Sequence, residues 1–580
     1  MSYSAPLADI LTALRASGDI DSALDETLTI DLVETILSEA GRFAAEEIAP
    51  LNAVADRNGP SLVDGVVTTS PGWKALYADW RTSGWNALSA PEEWGGQQLP
   101  GVVQAACREI WNSASMSFGI GPTLTEGAIE ALISHAPATL QQLCLPRLVS
   151  GEWMGTMNLT EPQSGSDLSG IRTRAEAVGD GTYRIFGQKI FITYGEHDLA
   201  ENIMHLVLAR LPGAPEGTRG ISLFLVPKFL VNPDGTLGAR NDVACVGLEH
   251  KLGLHGSPTC TMAFGESDGA IGYLIGEENR GLNCMFTMMN NTRLAVGIQG
   301  VGIAERAYQQ ARAFAAERRQ GRADPAVKEP SPILAHPDVQ RMLLTMRALT
   351  AAARGICYKA AAAIDRSEHA ANPDERRAGL GLASLLTPVA KAFSTDIGVE
   401  VASLGIQVHG GMGFIEETGA GQHYRDARIA PIYEGTNGIQ AIDLVTRKIG
   451  QADGAVIAAL IAEMEAVLTA STEEANNRHL RAAVETLRTV TRHLLDGLAN
   501  GRRDDVLMAA TPYLRLFALT LGGVELLKLA ATGESDGRAE GRRLLSRFFN
   551  DSFAAIVPAL GAGILEGRAF TTSEAEAALA

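Results

Sequence analysis

One carboxylate sits in a constrained turn. In Pro431-Ile432-Tyr433-Glu434-Gly435-Thr436-Asn437-Gly438-Ile439-Gln440, Pro431 and Gly435 fix a turn around Glu434, and a helical pattern begins just after it. Asn437, followed three residues later by Gln440, resembles an N-capping arrangement. A carboxylate held beside a helix N-terminus, among Ile432 and Tyr433, can serve as a general base; the plainer reading is that Glu434 only complements the helix dipole. A second segment, Met157-Asn158-Leu159-Thr160-Glu161-Pro162-Gln163-Ser164-Gly165-Ser166-Asp167, runs from a short apolar strand into a polar loop. Gly165 permits close backbone approach, and Thr160 and Ser166 offer hydroxyl donors. Such a loop can wrap a polar heterocycle or a phosphate, or be a surface turn. In Gln407-Val408-His409-Gly410-Gly411-Met412-Gly413-Phe414 the glycines let backbone N–H groups face an anion or nucleotide, or simply join two helices.

Other chemistries lack their signatures. There is no P-loop and no G-x-S-x-G elbow, and the histidines form no metal-ligand pattern. Gly300-Val301-Gly302-Ile303-Ala304-Glu305 lacks the third glycine of a dinucleotide fingerprint and reads as helix packing. The six cysteines include no C-x-x-C pair, which suits a reducing cytoplasm without a disulfide framework or a zinc site.

The elements that must position these residues come in three runs. Residues 1–155 read as helical: Leu32, Ile36, Phe43 and Ile48 fall near helical spacing, and Pro50 is expected to stop that helix. All six tryptophans lie in this part and read mostly as core residues. Residues 156–278 alternate as strands, as in Tyr183–Phe186 and Lys189–Thr193. Helical periodicity returns for 279–450, and 451–580 reads as an appended helical domain. Helices, then strands, then helices point to an α+β class with segregated domains.

The chain of 580 residues is too long for one compact core. Its 49 Lys+Arg against 67 Asp+Glu give a formal charge of -18, a poor match to nucleic acid or an anionic membrane. The apolar run Leu516–Val524, bracketed by Arg515 and Glu525, is far short of the roughly 20 residues of a spanning helix. The start has no basic-then-apolar signal pattern, and Asp9, Asp19 and Asp21 argue against a transit peptide, so a cytoplasmic enzyme is expected.

Six motifs in register resemble the acyl-CoA dehydrogenase family: Met157–Asp167, Lys189–Thr193, Lys251–Thr259, Asn290–Arg293, Gln407–Phe414 and Ile432–Asn437. The resemblance covers about Leu32 to Ile449. Tyr3-Ser4-Ala5-Pro6, Gly195-Glu196-His197-Asp198 and the long C-terminal extension look like a subgroup of larger bacterial members, some acting on 3-methylmercaptopropionyl-CoA. It implies a helical N-terminal domain, a barrel-like middle domain, a helical bundle and an extra helical domain.

The resemblance also implies roles. FAD is held without a Rossmann fold. Met157, Leu159 and Thr160 lie along the flavin edge, Ser166 reaches the pyrophosphate or the substrate, and Phe191, Ile192 and Thr193 flank the ring. Phe191 stands where many relatives carry Trp. Arg318 pairs with the pyrophosphate of a neighbouring subunit, Gln407, Val408, His409, Gly410 and Gly411 grip the adenosine half, and Thr436 touches the cofactor. Asn290 and Arg293 lie near the CoA and acyl entrance; Asn290 replaces a common Asp, and His255 a common Arg. Glu434 takes the α-proton while hydride leaves for flavin N5, with the substrate carbonyl bonded by the backbone N–H at Glu434 and a flavin ribityl hydroxyl, and Gly435 on the substrate side. The implied reaction makes a trans-2-enoyl-CoA from a fatty acyl-CoA or 3-methylmercaptopropionyl-CoA and passes electrons to an electron-transfer flavoprotein. Rivals are an oxidase using O2 and a DNA-binding flavoprotein of the same fold; 13 basic against 17 acidic residues after Lys448 count against the latter. A homodimer is expected.

Overall fold

The computed structural model describes residues 3–326, 328–471, 477–532 and 537–580. Helices from Leu7–Ala16 to Ala138–Val149, with a hairpin Ser61–Val63/Val66–Thr68, form the first layer. Trp73, Trp80, Trp85, Trp111 and Trp153 are buried there or at its border. Trp80 and Trp111 meet edge to face at 4.4 Å, as aromatic quadrupoles favour. Pro50 does not end its helix. The chain turns through Ile30–Phe43, widens into a π-helical turn at Ala44–Ile48, and continues as Ala49–Asn58 with Pro50 in its first turn. There the missing N–H costs nothing, and the wider turn accommodates the ring.

The middle layer is β. The strands Tyr183–Thr193, Ala270–Ile275, Ile221–Pro227 and Asn202–Arg210 pair in that order, and Arg174–Ala177 pairs with the first and the last, closing a barrel-like ring. Trp153–Asn158 adds to Asn202–Arg210 in parallel. Asn202–Arg210 and Ile221–Pro227 are buried along almost their whole length, so their apolar runs do not alternate. A bulge between Tyr183–Thr193 and Thr259–Phe264 sets Ile190 and Phe191 opposite the single residue Thr261. It gives Phe191 a φ of 61° and leaves the ring 58% exposed.

Three long helices, Gly281–Glu317, Pro337–His369 and Pro373–His409, form the bundle. A Cβ on Gly300 would lie 2.3 Å from Ser394 O, so this glycine lets the first and third helices cross closely. The glycine pair 300–302 is thus helix packing, as its sequence suggested. The extension starts with Ala455–Ala470 and Arg478–Ala499 and centres on Arg503–Ala531, which packs on Pro337–His369, Pro373–His409 and Asn437–Asp443. One apolar core runs from the N-terminal helices through the bundle into this extension. The stretch Ala539–Glu566 is long and apolar enough to cross a membrane by length and composition. Here it breaks into the helices Ala539–Ser552 and Val557–Glu566, and Leu545, Phe549 and Val557 join the core.

Candidate active site

Glu434 and Gly435 both take left-handed backbone, with φ of 55° and 82°. The glycine does so freely, whereas the glutamate bears strain of about 1–3 kcal/mol that persists only where its surroundings hold it. After this pair, Thr436 is extended and caps the helix Asn437–Asp443; its Oγ1 accepts from Ile439 N at 3.2 Å. The cap is therefore Thr436, not Asn437. Asn437 is already helical, and its side chain is drawn into Pro373–His409, where Nδ2 lies 2.8 Å from Asp396 Oδ1 and 2.9 Å from Thr395 Oγ1.

The turn is pinned from several sides. Lys391 Nζ, fully buried, donates to Gly435 O at 2.8 Å and to Asn437 Oδ1 at 2.9 Å. Arg293 Nε and Gln440 Nε2 each approach Glu434 O at 3.4 Å. Tyr433 donates its hydroxyl to Gln299. The Glu434 carboxyl itself is half-buried and takes no hydrogen bond within the described residues. Burial pushes its pKa up to about 7, with Arg293 and Lys391 pulling the other way. Burial also pushes Lys391 down to about 7, against Glu434 and Asp396. The site thus offers a carboxylate poised near neutrality, flanked by cations that stabilise its charged form.

The second segment is built on the middle-domain strands. Met157 is buried at the end of Trp153–Asn158, while Leu159 and Thr160 are half-buried beyond it. Ile190 N donates to Thr160 O at 2.9 Å and Thr156 Oγ1 to Thr193 O at 2.7 Å. These bonds tie the loop to the bulged strand, so Thr160 and Phe191–Thr193 share one region. Ile192 points into the barrel core, whereas the Phe191 ring stands outward. The hydroxyls of Thr160 and Ser166 take no partner within the described residues, and Ser166 is exposed. An outward aromatic face beside two unengaged hydroxyls fits a flat polar ring such as a flavin.

The competing carboxylates are committed elsewhere. Glu161 accepts from Lys189 Nζ at 2.8 Å, from Arg172 N at 2.7 Å, and from both Thr173 N and Oγ1. Burial alone would raise its pKa; Lys189 and these donors hold it down at about 2. Asp167 caps Ser169 N at 2.8 Å, Glu416 pairs with Arg425 at 2.9 Å, and Glu417 is exposed.

The remaining expected residues separate into groups. Arg293, Glu434, Gly435 and Thr436 meet at one turn; Asn290 lies one helical turn before Arg293 and is exposed. Arg318 ends the first bundle helix, exposed, with Nη2 3.5 Å from Gln320 Oε1. Gln407, Gly410 and Gly411 are exposed at the end of Pro373–His409. Val408 and His409 instead turn inward; His409 Nδ1 lies 2.7 Å from Gly405 O and its ring stacks on Phe314 at 4.5 Å. Their side chains therefore present nothing to a ligand. Lys391 is the residue that sequence reasoning missed. The signal was available: one lysine within the apolar run Leu385–Phe393 needs a partner if buried.

Comparison with known proteins places the chain among its relatives. Family models for acyl-CoA dehydrogenase match in chain order: the N-terminal domain at residues 32–152, the middle domain at 156–266 and the C-terminal domain at 279–450. A model described as acetyl-CoA dehydrogenase C-terminal like matches 460–572. The chain is 52% identical to 3-methylmercaptopropionyl-CoA dehydrogenase of Ruegeria pomeroyi over 470 residues, 80% of this chain and 79% of that one. Among solved structures, Caenorhabditis elegans ACDH-11 in complex with C11-CoA superposes with a TM-score of 0.80 at 23% identity, covering 95% of this chain and 92% of that one. A Bacillus anthracis acyl-CoA dehydrogenase complexed with FAD gives 0.77 at 21% identity, covering 96% and 92%. With its three core domains matched in order, and more than half of its aligned residues shared with a named dehydrogenase, the chain belongs to the acyl-CoA dehydrogenase family.

Proposed function

We propose that the protein is an FAD-dependent dehydrogenase that converts an acyl-CoA thioester to its trans-2-enoyl-CoA, with Glu434 as the base. The observation that carries this is the Glu434 turn: a single carboxyl with a pKa near 7, on strained backbone, among Arg293, Lys391 and Gln440. An α-proton of a thioester is weakly acidic, so its removal needs a base matched to neutral pH and donors for the charge that develops on the carbonyl oxygen. Thr160, Ser166 and Phe191 would hold the flavin, with Thr436 beside the base and Arg318, Gln407, Gly410 and Gly411 on an exposed edge suited to a neighbouring subunit's cofactor. Bound FAD supplies the hydride acceptor. The chain supplies the base and fixes its direction.

Likeness to the Ruegeria enzyme over four-fifths of the chain supports 3-methylmercaptopropionyl-CoA as a substrate, with a fatty acyl-CoA as the alternative. An electron-transfer flavoprotein is the acceptor in this reading. The test is a panel of short- to long-chain acyl-CoAs plus 3-methylmercaptopropionyl-CoA, followed anaerobically by loss of the visible flavin band. The purified protein should be yellow, and it should bleach with at least one member and reoxidise slowly in air. A colourless protein that takes up no FAD would overturn the reading, and rapid reoxidation by air would point to an oxidase.

A further inference from the structure

Arg515 of the C-terminal extension grips the bundle helix one turn to either side of Asp396, and Asp396 in turn contacts the catalytic turn through Asn437. Arg515, on the extension helix Arg503–Ala531, donates to Glu400 Oε2 at 3.0 Å and sets its guanidinium 5.4 Å from the centre of the Phe393 ring. Phe393 and Glu400 flank Asp396 on the bundle helix Pro373–His409. Asp396 Oδ1 accepts from Asn437 Nδ2 at 2.8 Å. The other end of the Asn437 amide accepts from Lys391 Nζ at 2.9 Å, and Lys391 Nζ reaches Gly435 O, the carbonyl just after the base, at 2.8 Å. We propose that Arg515 is a positioning residue for the base: by holding Phe393 and Glu400, to either side of Asp396 on one helix, it sets Asp396 toward the Asn437–Lys391 clamp that holds the Glu434–Gly435 turn. The extension is then part of the active site's support. This proposal rests on the reading of Glu434 as the base.

The surroundings of each group support the direction of the effect. Asp396 faces Arg515, Lys391 and the like-charged Glu400; burial raises its pKa, while Asn437, Arg515 and Lys391 oppose that. Without Arg515, burial and Glu400 act against one cation fewer, and the acid form of Asp396 gains. A neutral acid accepts from Asn437 more weakly than a carboxylate does. The amide is then less firmly oriented, and Lys391 loses a fixed partner. Among the described residues Glu434 faces Arg293 and Lys391 as cations, so a loosened Lys391 lets its pKa rise.

The test uses full-length, FAD-loaded protein with Arg515→Gln and Arg515→Lys. Arg515 has 30% side-chain exposure, so either replacement should fold. Amide hydrogen exchange across residues 431–440 should be about threefold or more faster in Arg515→Gln and near wild type in Arg515→Lys. The acid limb of the pH profile for flavin reduction should move to higher pH, and the limiting rate should fall about three- to tenfold with little change in acyl-CoA affinity. Asp396→Asn, which keeps shape and removes charge, should reproduce both effects. Unchanged exchange and an unmoved acid limb in either Arg515→Gln or Asp396→Asn overturn the proposal, as does a rate loss without either shift. Glu434→Gln serves as the control for the underlying reading. If it reduces flavin at wild-type speed, the base assignment fails, whereas an inactive Glu434→Gln beside a wild-type Arg515→Gln removes only this proposal.

Discussion

Lys189 and Glu161 form an ion pair almost sealed from solvent, with side-chain exposures of 0% and 3%. Lys189 also donates to Leu159 O at 3.0 Å, so the pair fixes the start of the Thr160–Ser166 loop from below. Breaking a buried pair by removing one partner costs about 3–5 kcal/mol. Lys189→Met should fall at the low end, because Glu161 keeps its backbone and threonine donors. The sign with pH is defined: Glu161 has a folded pKa near 2, below the ordinary carboxylate value, so its contribution is present above the unfolded pKa and is lost as pH falls through about 2. In Lys189→Met the lost cation lets the folded pKa rise, so the penalty should shrink on acidification, when Glu161 becomes neutral. Thermal denaturation of both proteins near neutral and mildly acid pH checks this; an equal Tm deficit at both values would exclude a charge effect. For Glu434 the charged form is the base, so the rate of flavin reduction should climb with pH through about 7 and level off above it. A single-turnover profile flat across that range would contradict the assignment. The turn at Glu434 was legible in the sequence because Pro431 and Gly435 mark it, whereas the role of base came from the family resemblance. Lys391 is marked only as a lone lysine in an apolar run; its partner is not, because its bond to Gly435 O spans 44 residues and joins two elements whose docking no local pattern encodes.

Element types were legible from periodicity, but the irregularities that aim side chains were not. The π-helical turn at Ala44–Ile48 and the bulge at Phe191 each reverse what local propensity suggests. Proline normally ends a helix, and a positive φ is costly for an aromatic residue. Both are maintained by contacts with other elements: the helix by the tryptophan cluster, the bulge by pairing with Thr259–Phe264. The crossing of Gly281–Glu317 and Pro373–His409 is a third such feature. At Gly300 the atom a methyl group would meet is backbone, Ser394 O, which no rotamer change can move. Gly300→Ala should therefore destabilise by about 1–3 kcal/mol through overpacking, despite alanine's better helix propensity. Urea unfolding checks this, and a neutral or stabilising effect would mean the two helices separate easily.

At the scale of the molecule, the extension reads from sequence as a separate helical domain, and its individual helices are found. The sequence also offers Leu514, Phe517 and Leu521 as an apolar face able to cover the bundle, and the structure merges that face with the bundle core. Leu514, Phe517 and Leu521 are all buried, and Lys359 on the bundle pairs with Glu463 at 2.5 Å and Glu525 at 3.8 Å on the extension. A buried lysine with two carboxylate partners fixes the docking geometry, since losing either leaves charge uncompensated. The extension thus covers bundle surface from Pro337–His369 to Asn437–Asp443 with its own helix. A surface covered in this way is closed to a second pair of subunits, so the protein should be a homodimer. Light scattering at micromolar concentration checks this; a tetramer would show that assembly uses some other face.

The central claim is that Glu434 removes the α-proton, and single-turnover flavin reduction by a saturating acyl-CoA in Glu434→Gln tests it most directly. The substitution preserves the size of the side chain, so the turn between Pro431 and Gly435, the Lys391 clamp and FAD binding should survive, while proton acceptance is lost. General-base catalysis is typically worth about 10²–10⁴-fold, and a reaction that cannot release hydride without losing the proton should fall toward the upper end. The variant should be yellow and folded, bind acyl-CoA and scarcely bleach. A variant that bleaches within about threefold of the wild-type rate would place the base elsewhere and contradict the account.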